Sequence, residues 1–263
     1  MPAGYAHYVF GEKVLEQLSP KYKEIIKNNI DLYNIGIHGP DILFYYDALT
    51  SNDIIKTGQR MHHEEAYKFF YKAKEVYKTS VDKDAALVFL YGFINHFVLD
   101  HVCHGYVFYM QDKLNMGHYA IESEFDRECL VIKGLNPTKT CLTSHIHPSL
   151  RVSEIIAPFF DFEPKTIYKG LKDLIFYLNL LRAHSKLRRF IIHSVMKLAG
   201  VYERLNPLMI GYEKNKKCED DIQILVQKLN EGVPIAVKLI ESFLDDDLDD
   251  IYHNDFEGIK IQN

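Results

Sequence analysis

Residues 96–122 read HFVLDHVCHGYVFYMQDKLNMGHYAIE, and the period of their polar groups decides the fold. His96, Asp100 and His104 recur every fourth residue in apolar surroundings, and His118 and Glu122 repeat that spacing. At about 3.6 residues per turn, positions i, i+4 and i+8 share one helical face. A stretch serving packing alone would not need five ionisable groups on two such faces. The pattern predicts two neighbouring helices, each presenting imidazole and carboxylate in one direction, as helices do when they hold metal ions.

Helical periodicity continues outward from this stretch. Asp82 is placed to cap a long helix running to about Met110, apolar nearly all round and therefore central. His62–Tyr77 sets Ala66, Phe69, Phe70, Ala73 and Val76 on one stripe. His7–Leu18 forms a further helix, ended by Pro20, and Tyr22–Tyr33 a short one. In GIHGPDILFYYDAL (residues 36–49), Gly36, Gly39 and Pro40 mark a turn with Asp41 at the mouth of the next element. Downstream, a helix from His118 to about Ile132 stops at Gly134–Pro137, and Leu150–Phe160 follows. Two long helices then cover 164–202 and 219–244. Strand alternation, repeats and linkers are missing from the pattern. The expectation is an all-α fold, one compact multi-helix domain over 1–263. Residues 1–135 would form its metal-site half and 136–263 additional packing helices. The acidic run DDDLDD (245–250) lacks the spacing and glycine of a calcium loop and reads as a solvated helix end.

Composition narrows the partners. With 263 residues, 47% of them hydrophobic, the chain can bury a sizeable core. Its net charge of −5 gives no electrostatic reason to bind duplex nucleic acid. Cys103, Cys129, Cys141 and Cys218 lie far apart with no CxxC pair, so reduced thiols are expected. No basic start followed by an apolar region opens the chain, and the longest greasy stretch, Ala86–Leu99, is too short to span a bilayer. Cytoplasmic localisation without a transmembrane segment is the expectation. The thirteen histidines are the unusual feature.

Eight residues stand out as ligand candidates: His7, Asp41, His62, His96, Asp100, His104, His118 and Glu122. A lone histidine among apolar neighbours is more often a hydrogen-bonded core residue, so the case rests on their combination. Mixed imidazole and carboxylate suit zinc, and so many donors exceed one tetrahedral ion, suggesting two or three Zn2+. His145, His147, His184, His193 and His253 are given no metal role.

The ordered strings HYVFGEKVLEQL, GPDILFYY, MHHE, NHFVLDHVCH and HYAIESEFD resemble the zinc-dependent phospholipase C family, over roughly residues 3–130. That family includes bacterial phosphatidylcholine-hydrolysing enzymes, and fungal single-strand nucleases share its trinuclear site. The resemblance implies an all-helical fold and a first zinc on Asp41, His62, His96 and Asp100. A second zinc would sit on His104, His118 and Glu122, and a third on His7 with Asp100 bridging. It also implies Asp41 as general base. His62 is preferred to its neighbour His63. His104 is preferred to His101, which lies about 100° round the helix from Asp100.

Three features depart from the secreted members. Their histidine comes six residues after the bridging aspartate rather than four. They begin with a tryptophan that binds the third zinc, whereas this chain has no tryptophan, leaving Pro2 after removal of Met1 as a substitute. They also carry a signal peptide. Three zinc ions against three carboxylates would leave the pocket net positive despite the acidic chain. The function so implied is metal-dependent hydrolysis of a phospholipid or small phosphodiester. A single-strand nuclease and a non-catalytic zinc-binding helical protein are the alternatives. Phe44, Tyr45 and Tyr46 are candidates to wall the pocket or simply to pack. The basic amphipathic stretch 184–193 either touches anionic lipid or is a solvated face.

Overall fold

A computed structural model describes residues 4–245 and 247–258, within which all regular structure is helical. The elements are α1 (Gly4–Gln17), α2 (Pro20–Asn28), α3 (Ile30–Gly36), a 3-10 turn (Gly39–Tyr45), α4 (Asp53–His63), α5 (Ala66–Thr79), α6 (Lys83–Leu114) and α7 (His118–Ile132). After these come α8 (Leu150–Phe160), α9 (Pro164–Leu181), α10 (Lys186–Leu198), α11 (Tyr202–Leu205), a 3-10 turn (Asn206–Leu208), α12 (Glu219–Glu241) and a last 3-10 turn (Asp250–His253).

The long α6 is the axis of the molecule. Asp82 caps it by accepting the Ala85 N–H at 3.1 Å, and Asn115 closes it in the left-handed conformation at φ 45°. Helix α6 is long and apolar enough to cross a membrane by length and composition, but 89% of its apolar window is buried within the protein. Helices α1, α3, α5, α7, α8 and α12 all pack on it. Its tightest neighbour is α3. A Cβ on Gly36 would lie 2.3 Å from the Phe89 carbonyl oxygen, and one on Gly92 would lie 2.3 Å from that of Tyr33. Only paired glycines let these backbones meet. The main core gathers apolar side chains from α1 through the last 3-10 turn. A smaller cluster of Leu181, Ala183, Ile192, Met196 and Met209 lies under α10.

Several elements differ from the pattern reading. Tyr22–Tyr33 is two helices, because Asn29 leaves the helical region at φ −133°. His62 does not begin the amphipathic helix but lies in the last turn of the preceding one. Glu64 is extended at φ −100°, ψ 151°, and α5 starts afresh at Ala66. Residues 164–202 are not one helix: α9 ends at Leu181, and the Ser185 side chain caps α10 by accepting the Arg188 N–H. The acidic run is only partly a solvated end. Asp249 caps the last 3-10 turn and pairs with Lys238, and beyond it Tyr252 and Phe256 are buried in the main core. Asp246, Met1 and Pro2 lie outside the described residues.

Candidate metal centre

Five elements deliver the eight candidate side chains to one place. Helix α6 presents His96, Asp100 and His104 along one face, and α7 presents His118 and Glu122. His7 comes from α1, Asp41 from the 3-10 turn and His62 from the last turn of α4. Gly39 makes the approach possible: its φ is +49°, and a Cβ there would sit 2.4 Å from the His96 ring.

Asp100 is the hub. Its Oδ1 lies 3.1 Å from His7 Nε2 and 3.5 Å from His104 Nε2, and its Oδ2 lies 3.1 Å from His96 Nε2 and 3.7 Å from His62 Nε2. Asp41 Oδ1 faces His62 Nε2 at 3.1 Å and His96 Nε2 at 3.9 Å. Glu122 Oε1 faces His118 Nε2 at 3.1 Å and His104 Nε2 at 3.5 Å. Donor atoms thus collect in three sets, His7–His96–Asp100, Asp41–His62–His96 and His104–His118–Glu122. All eight are buried except His118, which is partly open to solvent.

The opposite ring nitrogens decide what these sets can hold. His62 Nδ1–H donates to the Gly58 carbonyl at 2.8 Å, and His96 Nδ1–H donates to that of Ile37 at 3.2 Å. His104 Nδ1–H donates to the Phe256 carbonyl at 2.9 Å, and His118 Nδ1–H to the Gln111 side-chain oxygen at 3.0 Å. A carbonyl only accepts, so each Nδ1 carries the proton, and in the neutral ring Nε2 is a bare lone pair. Four such lone pairs therefore point at carboxylate oxygens, acceptor toward acceptor. His62 Nε2, His96 Nε2, Asp41 Oδ1 and Asp100 Oδ2 have no hydrogen-bond partner although buried. Such an arrangement calls for positive charge between the groups, and imidazoles held through Nδ1–H are how proteins orient histidine toward a metal. The residues fit zinc.

Without a cation the same groups compete for protons. Burial opposes the His104 imidazolium, but Asp100 and then Glu122 outweigh it and push its pKa up to about 10. Burial also opposes the Asp100 carboxylate, yet His104, His96 and His7 hold it well below the usual range. Asp41 and Glu122 behave alike: burial raises them, and the facing histidines bring them below normal.

The other histidines and the aromatic candidates fall elsewhere. His101 stacks on Phe97 and faces Asp255, away from the carboxylates. His63 pairs with Glu257 at 2.8 Å. His147 pairs with Asp31, His193 meets Tyr202 edge-on and His253 stacks on Tyr67. The three aromatics after Asp41 part company. Phe44 packs on the His62 ring, the Tyr45 hydroxyl lies in the field of Asp41, Asp126 and Glu122, and Tyr46 turns to Lys169.

Three features escaped the sequence reading. Residues 254–258 strap the centre: the Asn254 carbonyl accepts the Ala66 N–H, and the Phe256 ring packs on His62 and His96. Asp126, one turn beyond Glu122, accepts the Ala6 N–H at 2.7 Å and so anchors the start of α1, next to His7. Its i+4 offset from Glu122 was the available signal. A second histidine pair, His38 and His145, is buried with Nε2 atoms 2.9 Å apart, and Tyr8 stacks on His145.

The profile of the zinc dependent phospholipase C family matches residues 6–161, more than half of the chain. The chain belongs to that family. No curated protein and no solved structure matches it. The matched region holds every side chain of the three donor sets, whereas the strap that supports His104 lies far outside it. For a zinc-dependent phospholipase C relative, an all-helical architecture is the family's own.

Proposed function

We propose that the protein is a zinc-dependent hydrolase of phosphodiesters, with a phospholipid or a small phosphodiester as substrate. The observation that carries this reading is the set of Nδ1-anchored imidazoles aiming bare Nε2 atoms at three buried carboxylates. Asp41, His62, His96 and Asp100 would hold one ion and His104, His118 and Glu122 a second. His7 and Asp100 would supply ligands for a third. Bound there, zinc supplies a Lewis acid that lowers the pKa of water and neutralises charge developing on phosphoryl oxygens.

The protein's own groups do the rest. Asp41, whose buried Oδ1 faces His62 and His96, would double as ligand and as the general base that takes the proton of an attacking water. Asp100 touches histidines from α1, α4 and α6, and so keeps the sets in register. The open side of the centre is at His118, where Phe108 and Tyr119 bring their rings within 5.6 and 6.0 Å. Aromatic faces at that opening suit a quaternary ammonium headgroup, which they attract through cation–π contact.

Metal analysis of the purified protein, combined with hydrolysis of a chromogenic phosphodiester and of phosphatidylcholine, tests the proposal. Two or three zinc ions per chain, with turnover abolished in His118→Ala, support it. Bound zinc with no turnover of lipid, nucleotide or soluble diester would make the centre structural. Cleavage of single-stranded DNA in place of lipid would make the protein a nuclease.

A further inference from the structure

Helix α10, KLRRFIIHSVMKL, is turned the opposite way from a solvated helix. Its inner face, Ile192 and Met196, closes the small satellite core. Leu187, Phe190, Ile191, Val195 and Leu198 face outward, with Leu187 70% exposed, Phe190 69% and Leu198 90%. At about 100° per residue these five fall within one ~140° arc. Lys186 and Lys197 border that arc on one side and Arg188 on the other. A surface helix ordinarily shows water its polar face. Here water meets an apolar ridge lined by cations.

The charges along this stretch of chain are of one sign. Between Asp173 and Glu203 the sequence holds Arg182, Lys186, Arg188, Arg189 and Lys197 and no acidic residue, in a chain whose net charge is −5. Arg188 donates to the Asn179 carbonyl and Arg189 to that of Ile210, neutral partners, while Arg189 also lies over the Tyr212 ring, and neither arginine forms an ion pair among the described residues. Two copies meeting through this ridge would bring like-charged borders together, which disfavours a second copy as its cover. Anionic phospholipid supplies both an apolar layer for the ridge and phosphates for its borders.

Helix α10 is linked to the candidate centre through α11 and the 3-10 turn after it. The 3-10 turn after α11 is tied to α7, where the Ser123 hydroxyl donates to the Pro207 carbonyl at 2.6 Å, next to Glu122 in sequence. Arg204 of α11 lies in the field of Tyr119, at the open side by His118. We infer that α10 docks the protein on anionic membrane surfaces, its apolar ridge entering the acyl boundary and Lys186, Arg188 and Lys197 meeting lipid phosphates. This rests on the hydrolase reading only for its purpose, since it would hold the hydrolase at the surface that carries its substrate.

Flotation of the full chain with vesicles, of phosphatidylcholine alone or mixed with phosphatidylglycerol, tests the docking. Turnover of a soluble chromogenic diester and the sedimentation mass are read on the same samples. The wild type is expected to float with the anionic vesicles, less so at high salt. The double variant F190N/L198N should lower partitioning at least tenfold. Each of Lys186→Gln and Lys197→Gln should lower it about fivefold. Soluble-diester turnover and mass should stay unchanged. Absence of flotation, or flotation indifferent to these substitutions, overturns the docking even if turnover is normal. A dimer that F190N/L198N dissolves gives the ridge to a second copy and overturns it too. Flotation without any turnover upholds the docking and sinks the hydrolase reading.

Discussion

Phe256 holds His104 across 152 residues of chain, its carbonyl oxygen 2.9 Å from the ring Nδ1. The bond fixes the tautomer that leaves Nε2 facing Asp100 and Glu122, and the Phe256 ring backs His62 and His96. A chain ending at Asp255 loses both supports. It should bind zinc about 10–100-fold more weakly, the usual effect of removing an outer partner of a ligand, as read by competition with a chromogenic chelator. Phe256→Leu keeps the carbonyl and should retain most of the affinity, although it loosens the core.

Asp100→Asn removes negative charge from the point where His7, His62, His96 and His104 converge. It should lower zinc content after dialysis by more than one ion per chain. Glu122→Gln, which faces His104 and His118, should cost a single ion. Atomic absorption on the two variants makes the comparison, and equal losses would remove Asp100 from the role of hub.

Gly92→Ala places a methyl group against the Tyr33 carbonyl, where no flexible side chain can yield. Helices α3 and α6 must separate, at a cost of about 1–3 kcal/mol or more. Urea unfolding should show this as a lower midpoint with an unchanged slope. Gly117→Ala, where a Cβ meets nothing within 4 Å, serves as the control.

The His38–His145 pair predicts acid sensitivity. Burial, with His147 second, lowers His145 to about 3, and burial with His145 and then His7 and His96 lowers His38 well below normal. A depressed histidine contributes stability that is full above the unfolded value of ~6.5 and falls as the solution is acidified toward the folded value. Between those limits the unfolded chain binds a proton that the fold refuses. Each such group steepens the loss by about 1.4 kcal/mol per pH unit. His145→Gln should flatten the stability profile from pH 6.5 downward, measured by denaturation across that range.

Much of this architecture is written in local spacing. The i, i+4, i+8 rows of His96, Asp100 and His104, and the pair His118 and Glu122, lie on α6 and α7 as their period implies, because both faces are internal to single helices. The structure brings His7, Asp41 and His62 to the same place, but that convergence came from the family resemblance, since no local rule ties three separate segments together. What stayed illegible involves backbone groups or single dihedrals. The carbonyls of Gly58, Ile37 and Phe256 leave no side-chain signature. The stop that moved His62 from one helix to another turns on Glu64 and Glu65 leaving the helical region. The 164–202 segment kept its apolar stripe across a break, so periodicity alone read through Ser185.

The distance along the chain between His104 and its support has a consequence for biosynthesis. Helices α6 and α7 leave the ribosome before Phe256, so the His104 ring is without its carbonyl partner at that stage. That partner arrives only when residue 256 has emerged and folded back. If the group binds zinc as proposed, tight capture would be a late event in the life of each molecule, and fragments released by premature termination would hold the ion loosely.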